Sequence, residues 1–144
     1  MDRGSTEHGE LQISSEVERE LFAAAQAAYP QEACGLLLGS GGRITAVQRT
    51  RNVDPSPLTR FEIDPQALID AYRGARGGGA RGGGAQIIGY FHSHPTGDAR
   101  PSATDRAMAA RDGKVWAIVA GEDVTFWRDD PGGFTVLSYA VIDR

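Results

Sequence analysis

With 144 residues, 40% of them hydrophobic and 24% charged, the chain has the composition of one globular domain rather than of a disordered or fibrous segment. A formal net charge of -4 argues against a nucleic-acid partner, which needs a surplus of Lys and Arg on one face, and the lone Cys34 excludes an intramolecular disulfide framework. No apolar run approaches the roughly 18–20 residues that span a bilayer, which argues against a membrane role, and no N-terminal stretch has the make-up of a signal peptide; the expectation is a cytoplasmic protein.

Residues 1 to 10 are polar and aperiodic and read as a flexible tail, with His8 exposed, ahead of a single domain from 11 to 144. The stretch 14–30, "SSEVERELFAAAQAAYP", has a Ser cap, an acidic first turn and Val17, Leu21, Phe22 and Ala25 at helical spacing, and predicts a helix that stops at Pro30. "ACGLLLGS" and "RITAVQRTRNV" predict two strands joined by a tight turn at "SGG", and "RFEID", 60–64, a third. "PQALIDAYRGA" opens on a proline suited to a first helical turn and repeats Leu68, Ile69 and Tyr72, giving a second helix. The tract 74–85, "GARGGGARGGGA", is low in complexity and reads as a mobile loop; its two arginines come without the interleaved aromatics of a base-stacking segment. "QIIGYFHSH" predicts a central strand, "SATDRAMAARDG" a short helix, and "VWAIVAG", "DVTFWRD" and "FTVLSYAVI" three further strands, with Trp116, Phe126 and Trp127 as core residues.

Chemistry concentrates in "HSHPTGDARPSATD", residues 92–105. His92 and His94 are two apart at the end of a strand, so their rings leave one face of the sheet, while Ser93 points the other way and Pro95 ends the ladder. "PSATD" has a plain structural reading, a capping box from Ser102 to Asp105. Seven residues between His94 and Ser102 are also enough to fold that helix start back beside the imidazoles, making Asp105 a third ligand. The competing Asp98, in "TGDA", reads as a turn residue. Two histidines and one aspartate leave the fourth position of tetrahedral zinc open, as in catalytic sites, and zinc lowers the pKa of its water to about 7. A carboxylate must still move the proton. Glu32, an acid just before an apolar strand, is the candidate base, and Ser102 could offer its hydroxyl to an oxyanion.

These residues resemble the JAMM (MPN-plus, or JAB) zinc metallopeptidases, whose signature is an upstream glutamate, then His-x-His, seven residues, Ser, two residues and Asp. Glu32, His92, His94, Ser102 and Asp105 fill every place, and the flanks "EACGLLLG" and "GYFHSHP" look like the short bacterial and archaeal members. The resemblance covers roughly residues 11 to 142. It implies an α/β (α+β) fold of the MPN/JAB, cytidine-deaminase-like type: a curved, mostly antiparallel mixed sheet flanked by helices. It also implies zinc held by His92, His94 and Asp105, with Glu32 as general base and then acid and Ser102 on the oxyanion. The reaction implied is hydrolysis, by a zinc-activated water, of the bond after the C-terminal Gly-Gly of a ubiquitin-like partner, possibly a sulfur carrier. At this length the second insertion of polyubiquitin-selective members is not expected.

Three rival readings remain in view. The RadC family, associated with DNA repair, shares His-x-His-Pro and a downstream "PS..D", but the Ser at the middle position, the absence of a preceding helix-hairpin-helix region and the net acidity all count against it. A non-catalytic MPN binding module would keep the fold and lose ligands. Cysteine chemistry would need Cys34 activated by a histidine, whereas a Cys in an apolar strand is usually inert packing.

Overall fold

The structure is a computed structural model that describes residues 10–76 and 85–143. The expected tail with His8, at 1–9, and most of the expected glycine-rich loop, 77–84, lie outside the described residues.

In chain order the elements are β1 (Leu11–Ile13), α1 (Ser15–Ala28), β2 (Cys34–Ser40), β3 (Arg43–Thr50), α2 (Pro65–Arg76), β4 (Gln86–Ser93), α3 (Ala103–Met108), β5 (Val115–Ala120), β6 (Asp123–Asp130), β7 (Gly133–Leu137) and β8 (Tyr139–Val141). Among the described residues, all eight strands form one sheet in the order β7-β6-β5-β4-β2-β3-β1-β8. Its four antiparallel pairings, β2/β3, β2/β4, β5/β6 and β6/β7, outnumber the three parallel ones, β4/β5, β1/β3 and β1/β8. This is the mixed, mostly antiparallel α/β architecture that the family resemblance implies. Ser138 alone separates β7 from β8, so the chain steps from one edge of the sheet to the other in a single residue, and the sheet must curl round to meet itself. The Ser138 carbonyl accepts the backbone N–H groups of Glu10 and Leu11 at 3.1 Å, which pins the closure.

α1 forms because Ser14 caps it, accepting the Val17 N–H at 3.1 Å, and because Val17, Leu21 and Ala24 share one face. That face packs on Phe91, Ala117, Val119 and Phe126 of the sheet to make the core. β4 lies at the middle of the sheet and β5 is held close beside it: a Cβ on Gly89 would overlap the Val115 backbone, so only glycine fits this crossing. Because side chains alternate along a strand, Phe91 faces α1 while His92 emerges on the other side.

Four expectations need correction. "RFEID" is no strand: Ile63 makes only an isolated bridge to Asn52, whose side chain serves the backbone of 60–62 in place of a ladder. The strand expected over 43–53 ends at Thr50. The helix expected over 102–113 stops at Met108, because Asp129 Oδ2 takes the Arg111 N–H at 2.9 Å and Arg111 turns to a φ of 56°. "FTVLSYAVI" is two strands on opposite edges, and β1 was not foreseen. α2 is present, yet Ile69 and Tyr72 stay exposed and Leu68 only half-buried, so its apolar repeat is not a core face.

Candidate metal centre

His92 lies within β4 and His94 one residue past its end, where the His94 N–H still bonds the Val119 carbonyl at 2.8 Å. The extended backbone therefore persists through both, and the rings converge: His92 Nε2 and His94 Nε2 are 3.0 Å apart. The Asp105 carboxylate lies 3.2 Å from the first and 3.0 Å from the second. Donors 2.0–2.1 Å from a tetrahedral ion sit roughly 3.3 Å apart, so the spacing is slightly tighter than, and close to, that of a filled site. All three side chains are buried. Two imidazole nitrogens and one carboxylate, dry and convergent, fit a divalent transition metal.

Asp105 does two jobs at once. Its backbone N–H donates to Ser102 Oγ at 3.0 Å and its Oδ2 accepts the Ser102 N–H at 2.9 Å, a complete capping box, while the same carboxylate faces the imidazoles. The cap is what aims the ligand. Burial would raise the Asp105 pKa, but hydrogen bonds from His92, His94 and the Ser102 N–H hold it well below the usual carboxylate range.

His94 donates Nδ1–H to the Asp98 carbonyl at 2.6 Å, which leaves Nε2 as the free lone pair. Burial disfavours protonated His94, but Asp105 and that carbonyl outweigh it and raise its pKa; burial lowers the pKa of His92. The Asp98 carboxylate itself turns away to the Arg100 side chain and N–H, at 3.0–3.1 Å. His92 is held differently. Its Nδ1 is buried without a partner among the described residues, and its ring is instead stacked by Phe61, centroids 4.3 Å apart and 18° between planes, with Trp116 edge-on at 5.6 Å.

Glu32 is 6% exposed and its Oε1 has no hydrogen-bond partner among the described residues. Burial pushes its pKa up to about 7; the neighbouring His94 opposes this, and Asp105 and Asp54 add to it. Its backbone is fixed from both sides, with the N–H donating to the Pro57 carbonyl at 2.7 Å and the carbonyl accepting Asn52 Nδ2 at 3.0 Å. The Ala33 N–H next to it donates to Ser93 Oγ at 2.7 Å, which ties Glu32 to the histidine strand. Ser102 is exposed, and accepting at the cap leaves its O–H proton available. Cys34 is 2% exposed, its Sγ 3.5 Å from Thr50 Oγ1, and burial pushes its thiol pKa up, the opposite of an activated nucleophile.

Sequence reasoning did not foresee Asn52, Phe61 or the bond made by Ser93. The two former act from a loop whose fold depends on contacts between residues up to 20 positions apart. For Ser93 a signal existed, since a hydroxyl between two outward imidazoles must face the strand's other side.

A profile of prokaryotic homologues of the JAB domain matches residues 14–130. A desampylase from Haloferax volcanii is 34% identical over 91 residues, 62% of this chain and 62% of its own length. A probable TtuB-protein conjugate cleaving protease from Thermus thermophilus is 37% identical over 76 residues, 53% of this chain and 47% of its own length. The chain thus spans about three fifths and about half of these relatives. Among solved structures, protein DSY2949 from Desulfitobacterium hafniense aligns with a TM-score of 0.78 at 27% identity, over 93% of this chain and 94% of that one. The matched span contains Glu32, His92, His94, Ser102 and Asp105, and with that match the chain belongs to the prokaryotic JAB-domain (JAMM) family.

Proposed function

We propose that this chain is a zinc-dependent isopeptidase or peptidase that hydrolyses the bond after the C-terminal Gly-Gly of a ubiquitin-like protein, a sulfur carrier among the candidates. One observation carries the reading: three buried metal donors converge beside a buried carboxyl, Glu32, whose pKa burial pushes up. The names of the relatives, a desampylase and a conjugate-cleaving protease, support the substrate class.

When bound by His92, His94 and Asp105, zinc supplies a Lewis acid that polarises the scissile carbonyl and makes a water acidic at neutral pH. Glu32 takes a proton from the attacking water and passes it to the leaving nitrogen, so water and amide become a carboxylic acid and an amine. Burial raises the Glu32 pKa, which makes its carboxyl a stronger base toward water and lets it hold the proton until the nitrogen takes it. Ser102 directs its O–H at the oxygen that gains charge during attack. The Asp98 carbonyl on one ring and Phe61 on the other keep the two Nε2 atoms in place.

The test is to purify the chain without added metal, measure zinc per chain, and offer ubiquitin-like proteins conjugated or extended beyond Gly-Gly. About one zinc per chain with metal-dependent release of the extension supports the reading. Stoichiometric zinc without cleavage of any conjugate would make the chain a binding module instead.

A further inference from the structure

Beside His92 lies a cavity of about 320 Å³ that the mechanism does not use. It is on the donors' face of the sheet: Phe61, which stacks on the His92 ring, and Trp116, which meets that ring edge-on, both line it. So do Tyr90, two residues before His92 and therefore on the same face of β4, and Met108, at the end of the helix that Ser102 caps.

Two buried polar groups of the lining residues are unsatisfied among the described residues. Trp116 is 6% exposed and its Nε1–H has no acceptor. Asp129 is 1% exposed; its Oδ2 takes the Arg111 N–H, and its Oδ1 has no donor. An unused donor and an unused carboxylate oxygen in one cavity fit a ligand that brings the complement of each. The rest of the wall sets the sign of that ligand's charge. Glu62 and Asp112 stand exposed at the rim, and no Lys or Arg is among the described lining residues. The neighbouring cations are engaged elsewhere, Arg60 by Asp54 and the Met108 sulfur, Arg111 by the Pro131 carbonyl.

The sheet order fixes which half of a substrate passes this way. β2 and β5 flank β4 on opposite sides; Glu32 leads into β2, whereas Trp116 and Asp129 belong to β5 and β6. The leaving nitrogen must face Glu32, which protonates it. The chain on the carbonyl side of the scissile bond therefore runs away from Glu32, past His92 and over the cavity. Asp129 is two strands from β4 and level with the residue four before His92, which puts it roughly 16 Å from that histidine at ~4.8 Å between strands and ~3.3 Å per residue. An extended tail advances at most ~3.3–3.6 Å per residue, so a long side chain one or two residues before Gly-Gly reaches that far.

Resting on the proposed hydrolase reading, we infer that this cavity is a subsite for a basic side chain, Lys or Arg, that the ubiquitin-like partner's tail carries one or two residues before Gly-Gly. Its aliphatic stem lies along Leu68 and Met108, and its cation sits against Asp129, Glu62 and Asp112 with the rings of Phe61 and Trp116 beside it. The Trp116 N–H then meets a backbone carbonyl of the same tail. A tail with an acidic residue at that place is repelled.

The experiment offers the zinc-loaded chain ubiquitin-like fusions, ubiquitin among them, that carry a short extension beyond Gly-Gly and have Arg, Ala or Glu at each of the two positions before it. kcat/KM is read from the released extension by mass spectrometry. At one of the two positions the parent should favour Arg over Ala by roughly tenfold and over Glu by more, and the advantage should shrink as salt is raised. Glu62→Lys should remove most of the Arg advantage and raise the Glu tail relative to Ala, a gain that damage to the fold does not produce. Asp129→Asn, which keeps an oxygen for the Arg111 N–H, should also reduce the Arg advantage. Zinc content reports whether each variant is folded. Equal kcat/KM for Arg, Ala and Glu tails in the parent would overturn the subsite and leave the hydrolase reading standing. An Arg preference that neither variant changes would place the selection elsewhere and also overturn it. No cleavage of any fusion by the zinc-loaded parent would remove both.

Discussion

Ser93 Oγ accepts the Ala33 N–H at 2.7 Å, and this one bond joins the strand that carries both imidazoles to the residue next to Glu32. Ser93→Ala leaves a buried amide unpaired, which costs about 1–3 kcal/mol of stability. Beyond that loss, Glu32 gains freedom relative to the donors. The variant should bind zinc as the parent does while kcat falls about tenfold or more, measured with one conjugate at saturating concentration. An unchanged kcat would make the bond purely structural.

Glu32→Gln removes the proton carrier and keeps the donors. Zinc content should stay near one per chain, and turnover should drop by about 10²–10⁴. In the zinc-loaded parent the ion's charge draws the Glu32 pKa down from the value of about 7 that burial gives it without metal, so the acid limb of kcat/KM should lie below pH 7.

The same residue gives a stability signature in metal-stripped protein. A carboxyl near pKa 4.5 in the unfolded chain and about 7 in the folded one makes the native state bind the extra proton between those values. Parental stability should therefore decline as pH rises from about 4.5 to about 7, and level off above. Glu32→Gln abolishes that decline, so its Tm should exceed the parent's at pH 8 and match it near pH 4.5. Parallel Tm curves for the two proteins would show that Glu32 is not so perturbed.

Asp105 and Ser102 share the capping box, and their alanine variants should separate its two uses. Each loses about 1 kcal/mol of cap stability. Asp105→Ala should also lose most zinc, whereas Ser102→Ala should retain zinc and lose about 10²–10³ in kcat. Equal zinc in the two variants would remove Asp105 from the ligand set.

Phe61 orients His92, whose Nδ1 has no hydrogen bond to do so. Partners that orient a ligating histidine are typically worth 10–100-fold in metal affinity. Phe61→Leu should weaken zinc by about tenfold in competition with a chromogenic chelator, and Phe61→Tyr should restore it.

The convergence of His92, His94 and Asp105 was legible because it rests on local rules. A two-residue period aims His92 and His94 together, and a capping box aims Asp105 from within three positions. Glu32 stood out as an acid against an apolar strand. What the sequence hid depends on distant partners. Asn52 spends its amide on Glu32, Asp54, Arg60 and Glu62, so "RFEID" becomes a loop that carries Phe61 onto His92 although its residues alternate like a strand. β1 is three residues long and exists because residues 43–44 and 139–141 flank it. The break at Ser138 has no marker either, since only the closed sheet requires it.

That closure sets an order of events during synthesis. Glu32 and the strand and helix that carry the donors all precede residue 109, yet β1 gains its outer neighbour only when Tyr139–Val141 pairs with it, 128 positions downstream. A pairing so remote in sequence is slow to form, because loop-closure entropy must be overcome before any contact rewards it. On the ribosome the centre can therefore take shape while the first strand still waits for the last, and a nascent chain stalled before β8 would present β1 as an open edge to its neighbours.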